Sequence, residues 1–157
     1  MTFHVFFGRE YRPFRAGIAN RDRHHENWGS LWDGNELRLA PTFDHGAALA
    51  RNLLDSEREE RLTTRDWNRT MAAFAGRGRS PFYASPNDVR PLELREAFRA
   101  FARRAPDAAR AWLGRLQAVN RDGIGGLLER VPAARMSEVC KRFTVELLLT
   151  NQRRLLE

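Results

Sequence analysis

The residues able to do chemistry gather in one stretch, from Asn20 to Gly46. It reads Asn20-Arg21-Asp22-Arg23-His24-His25-Glu26-Asn27-Trp28-Gly29, then Pro41-Thr42-Phe43-Asp44-His45-Gly46. Asp22 and Asn27 stand five apart, and Asp44 follows 22 residues after Asp22. Transfer of a phosphoryl group needs such a set. One carboxylate orients the attacking hydroxyl and takes its proton. An amide oxygen and a second carboxylate hold Mg²⁺ against the phosphates. A competing reading takes Asp22, His24, His25, Asp44 and His45 as a metal-dependent hydrolase site. Against it, His25-Glu26 has no second His four residues on, which a metal-binding helix would require. Loop capping and turn formation are the plainest roles for Asp22, Asn27 and Asp44.

The elements around this stretch must hold it in place. Ser30-Leu31-Trp32 and Glu36-Leu37-Arg38-Leu39 flank Asp33-Gly34-Asn35, a hairpin signal. The hairpin separates Asn27 from Asp44. Beyond it the chain is rich in Ala, Leu, Arg and Glu, so the fold class expected is mainly α. From Ala47 on a short helix through Leu53 is expected, preceded by Gly46 or Asp44, then a turn capped by Asp55 or Ser56 and running to Leu62. Trp67, Met71 and Phe74 share one face of an expected helix over 66–75, ending at Gly76. Residues 76–90 read as a loop, where Arg77 and Arg79 beside Ser80 are more simply solvated than a phosphate site. Helices follow from Leu92 to Arg104, from Pro106 with Ala109, Trp112 and Leu116 inward, and over about 122–130. Ser137 caps the last helix, with Val139, Cys140, Phe143, Leu147 and Leu148 inward. The aromatic stripes and Cys140 are expected in the core.

Composition narrows the classes. The 157 residues carry 27 basic and 20 acidic side chains, a formal charge of +7. All the basic residues but one are Arg; Lys141 is the single lysine, and no G-x-x-x-x-G-K-S/T motif surrounds it. A Schiff-base or phosphate-gripping lysine would have to be Lys141. The charge is interleaved, as in Glu57-Arg58-Glu59-Glu60-Arg61, and reads as solvated helix faces; that argues against direct nucleic-acid binding. No apolar run is long enough to span a membrane. The apolar N-terminus lacks the features of a signal peptide, and a lone cysteine suits a reduced compartment, so the expected localisation is cytoplasmic.

Protein kinases place an Asp, an Asn five positions on, and a further Asp before a Gly beyond a hairpin. Asp22, Asn27 and Asp44-His45-Gly46 take those places in order. More closely, "NRDRHHENWG" and "LAPTFD" resemble the catalytic and metal-binding stretch of the HipA-like serine/threonine kinases, bacterial toxin–antitoxin kinases distantly akin to phosphatidylinositol kinases. Weaker similarity runs through "RGRS" at 77–80 and "RMSE" at 135–138 to "NQRRLL". The resemblance covers about residues 16–157 and implies the C-terminal kinase lobe, with the hairpin next to the catalytic loop. It implies Asp22 as catalytic base, Asn27 and Asp44 as Mg²⁺ ligands, and Asn20 and His24 as supports of the catalytic loop. It implies ATP as donor, a protein serine or threonine as acceptor, and a helix-turn-helix antitoxin as partner. A phosphate-covering loop and its lysine precede the lobe in such kinases. No Gly-rich loop precedes Asn20, so the chain reads as a truncated product, a subunit completed by a separate N-lobe, or a remnant. The matching alternative is a non-catalytic, partner-binding module.

Overall fold

The computed structural model describes residues 29–41 and 43–157. The expected hairpin is there. Strand β1, Ser30–Trp32, pairs antiparallel with β2, Leu37–Leu39, in the register Ser30 to Leu39 and Trp32 to Leu37. Its turn is built by side-chain chemistry. Asp33 Oδ1 accepts the backbone N–H of Asn35 (3.0 Å) and of Glu36 (2.9 Å). Gly34 takes φ 98°, a conformation in which a Cβ would be strained. The N–H groups of Glu36 and Asn35 hold the Asp33 carboxyl below the ordinary carboxylate range. Glu36 belongs to the turn and not to the second strand.

Six helices follow: α1 (Asp55–Thr63), α2 (Met71–Gly76), α3 (Leu94–Arg104), α4 (Pro106–Gln117), α5 (Arg121–Glu129) and α6 (Glu138–Leu156). The described residues are thus mainly helical, as their composition leads one to expect. α6 is the axis of the packing and touches each of the other five helices. Ser137 caps it by accepting the N–H of Cys140 at 3.1 Å. Phe143 and Leu147 are fully buried on it, and Phe74 of α2 meets Phe143 edge-on, with centroids 5.8 Å apart. Leu94, Phe98 and Phe101 line the buried side of α3 and join Ala109 and Leu155 in one cluster. Pro106 opens α4 at its first turn, where no N–H is needed. The C-terminal end of α4 is tied to α6 by Gln152 Nε2, which donates to the carbonyls of Leu116 (2.7 Å) and Val119 (2.6 Å).

Four expectations need correction. Residues 46–53 form turns and no helix, because Leu49 (φ 55°) and Ala50 (φ 54°) are left-handed and cannot continue one. α1 starts at Asp55, with Leu54 at the N-cap position and its N–H donating to Glu57 Oε2 at 2.8 Å. The helix expected over 66–75 starts only at Met71, capped by Thr70. Asp66 and Thr64 fold the preceding residues into turns by accepting the N–H groups of Asn68 and Asp66. Trp67 therefore misses the apolar face and is 77% exposed. Cys140 and Trp112 are half-buried; the Arg115 guanidinium lies 5.3 Å from the Trp112 ring centre. Among the described residues no helix is long and apolar enough to cross a membrane.

Candidate functional site

Of the residues singled out for chemistry, Asn20, Asp22, His24, His25, Asn27 and Trp28 lie outside the described residues. Asp44 and His45 lie within them. Asp44 comes five residues after β2, exposed, at φ 51°. Asp and Asn tolerate this left-handed conformation better than other side chains with a Cβ. His45 is half-buried, and its carbonyl accepts the N–H of Ala48 at 2.9 Å. Asp44 Oδ1 lies 3.6 Å, and Arg51 Nη1 3.8 Å, from the point a Cβ on Gly46 would occupy. Carboxylate and guanidinium thus flank the same glycine.

The loop carrying Asp44 is tied to α1 by a side chain whose burial the sequence hides. Arg58 looks like one more charge on a solvated face, but it is 7% exposed. Its Nη2 donates to the carbonyls of Ala50 (3.3 Å) and Arg51 (3.2 Å), and its Nη1 to Asp55 Oδ1 (2.7 Å). Two successive left-handed residues, each costing roughly 1–2 kcal/mol, are held by these bonds and by turn bonds from Arg51 N to Ala48 O and from Leu53 N to Ala50 O. The Asp55 carboxyl is held low by the Ser137 hydroxyl first and by Arg58 second, which links the loop to the start of α6.

A cleft of about 420 Å³ opens between this loop, α1 and the end of α2. Arg51, Arg61 and Arg77 border it, with Ala50, Leu53 and Phe74 as apolar wall. A larger cleft of about 710 Å³ lies between α1, α2, α5 and α6, and no residue of the 44–54 loop lines it. Its charges are largely spoken for: Arg142 pairs with Glu59 at 2.5 Å and Arg121 with Glu146 at 2.6 Å. Lys141 is 7% exposed, with Nζ 2.8 Å from Glu138 and 3.6 Å from Glu129. The hydrogen bond to Glu138 leads in raising its pKa above the usual lysine value. The single lysine is committed to its two carboxylates.

Ser80 and Arg79 are taken up by structural contacts. The Ser80 side chain is buried, and its hydroxyl donates to the Leu92 carbonyl at 2.9 Å. Arg79 pairs with Glu93 at 2.7 Å, and Arg77 donates to the Asn68 carbonyl at 2.8 Å. The Ser80 and Arg79 contacts close the 77–93 segment onto itself, while Arg77 reaches back to the turn before α2. Among the described residues, no three His, Cys, Asp or Glu side chains come close enough together to hold a metal ion. Asp44 is one hard oxygen donor of the kind Mg²⁺ takes, and its exposure suits that use. No family model, curated protein or solved structure matches the chain.

Proposed function

We propose that this chain is the C-terminal catalytic lobe of a HipA-like serine/threonine protein kinase. In this reading Asp22 orients the acceptor hydroxyl and takes its proton. The γ-phosphoryl group leaves the β–γ bridging oxygen and bonds to that hydroxyl, releasing ADP. Asn27 and Asp44 are the protein's oxygen ligands for the Mg²⁺ that neutralises the phosphates. Asn20 and His24 brace the loop. Lys141, held by Glu138 and Glu129, is not a phosphate grip, so in this reading that grip is supplied by an N-lobe. A helix-turn-helix antitoxin is the partner of this reading, and the cytoplasm its place.

The observation that carries the proposal is the hairpin. The order Asp22, Asn27, hairpin, Asp44 requires two short strands between the amide and the second carboxylate. The pairing of β1 with β2, followed by an exposed Asp44 in a left-handed turn, supports that requirement. The test is transfer of labelled phosphate from Mg-ATP to cell-extract proteins. Asp22→Asn is expected to lower it by about 10²–10⁴-fold while calorimetric nucleotide binding persists. Transfer at the unaltered rate in that variant would remove Asp22 as the base. An absence of heat at millimolar Mg-ATP would favour the partner-binding module instead.

A further inference from the structure

The cleft beside the Asp44 loop has a character that phosphoryl transfer alone does not account for. Three guanidiniums reach it from three segments: Arg51 from the loop, Arg61 from α1 and Arg77 from just past α2. Among the described residues, neither Arg51 nor Arg77 has an ion pair with a carboxylate, and Arg77 donates one bond to a carbonyl. Arg61 stacks 5.1 Å from the Phe74 ring centre, donates to the Glu57 carbonyl at 3.3 Å and has a long 3.9 Å contact with Glu60. Among the described residues lining the cleft, Glu57 is the carboxylate, and its Oε2 is engaged by the N–H of Leu54; the Asp44 carboxylate lies just beyond, across Gly46 from Arg51. Among the described lining residues three guanidiniums thus face one carboxylate. The guanidiniums sit against an apolar wall of Ala50, Leu53 and Phe74, in a volume of the size that small ligands and short peptide segments fill.

The cleft is also held in shape. Arg51 follows the two left-handed residues, and its own carbonyl is one of those gripped by buried Arg58. Backbone strain kept in place by a dedicated clamp is common where a side chain must be aimed. Arg51 is aimed at Gly46, where the Asp44 carboxylate also lies, so the cleft is continuous with the candidate site.

We infer that this cleft binds the acidic flank of the acceptor protein: Asp or Glu side chains beside the hydroxyl to be phosphorylated engage Arg51, Arg77 and the free edge of Arg61. The acceptor role rests on the kinase reading; the affinity for a carboxylate-bearing peptide does not. Guanidiniums pair with carboxylates in a planar, two-point geometry, and the apolar wall takes the peptide's stems.

Calorimetry of the full chain without nucleotide tests this, using two short peptides with a central Ser, one flanked by Glu and the other by Gln. The Glu peptide is expected to bind at least about tenfold more tightly, with the preference shrinking as NaCl is raised. R51Q/R77Q should abolish the preference while the near-ultraviolet circular dichroism stays unchanged. R51K/R77K, which keeps the charge, should restore part of it and stands in if the glutamine variant does not fold. Equal binding of the two peptides, no binding of either, or an undiminished preference in R51Q/R77Q would overturn the inference. So would displacement of the Glu peptide by millimolar inorganic phosphate, which would make the cleft a phosphate site. A chain that prefers the Glu peptide yet transfers no phosphate would sink the kinase reading alone.

Discussion

Replacing Arg58 by Met is the sharpest probe of how the candidate site is held. The Met side chain keeps an apolar stem in the buried space and removes every donor. Two bonds to the Ala50 and Arg51 carbonyls are lost, at 3.3 and 3.2 Å, together with the 2.7 Å pair to Asp55. The two carbonyl bonds are long, so each is set below the usual range for a charged donor, at about 1 kcal/mol. The Asp55 side chain is 48% exposed, so solvent screens its pair with Arg58. The expected loss is about 2 kcal/mol. With a urea m-value of about 2 kcal/mol/M for a chain of this length, the unfolding midpoint should fall by roughly 1 M. The 46–53 turns should open first, since the strain at Leu49 and Ala50 is then opposed only by turn bonds. Limited trypsin digestion should therefore cut after Arg51 about tenfold faster than in the parent chain. A midpoint within 0.2 M of the parent, with unaltered cleavage at Arg51, would refute the claim that Arg58 holds the loop.

Phe143→Ala removes a fully buried ring in the first half of α6 and its edge contact with Phe74. It should cost about 3–5 kcal/mol in denaturant unfolding, and a loss under 1 kcal/mol would displace the core from that position. Lys141 gives a pH signature. Its folded pKa lies above the ordinary 10.5, raised first by the Glu138 hydrogen bond, so its contribution is full below the unfolded pKa and fades as pH rises through the folded one. Thermal midpoints of the parent and of Lys141→Met should differ most below pH 10.5 and converge as the pH rises through the higher folded value; a gap that widens with alkali would contradict the pairing.

The comparison between chain and fold separates two kinds of information. Local signals were readable. Asp33-Gly34 makes its turn with its own side chain and a glycine φ. Pro106 and Ser137 start helices because capping and a missing N–H act within one turn of chain. The 3.6-residue spacing of Leu94, Ala97, Phe98 and Phe101 named a buried face. The same spacing failed at Trp67, where Asp66 and Thr70 offered the backbone competing turn and cap bonds and delayed the helix to Met71.

What the amino-acid order determined about this protein by itself was a mainly helical chain, a hairpin beside a carboxylate-bearing stretch, and where most helices begin. These follow from interactions within a few residues. The tertiary structure decided which charges are solvent-facing and which are structural. In Glu57-Arg58-Glu59-Glu60-Arg61 every residue is charged and the pattern looks uniformly wet. Yet Arg58 is buried against the carbonyls of residues seven and eight positions earlier, and Arg61 stacks on Phe74. Nothing in the local order distinguishes them, because a guanidinium's burial depends on which acceptors the folded chain brings to it. The left-handed turn after Asp44 and the arginine-lined cleft beside it arise in the same way, from contacts between segments distant in sequence.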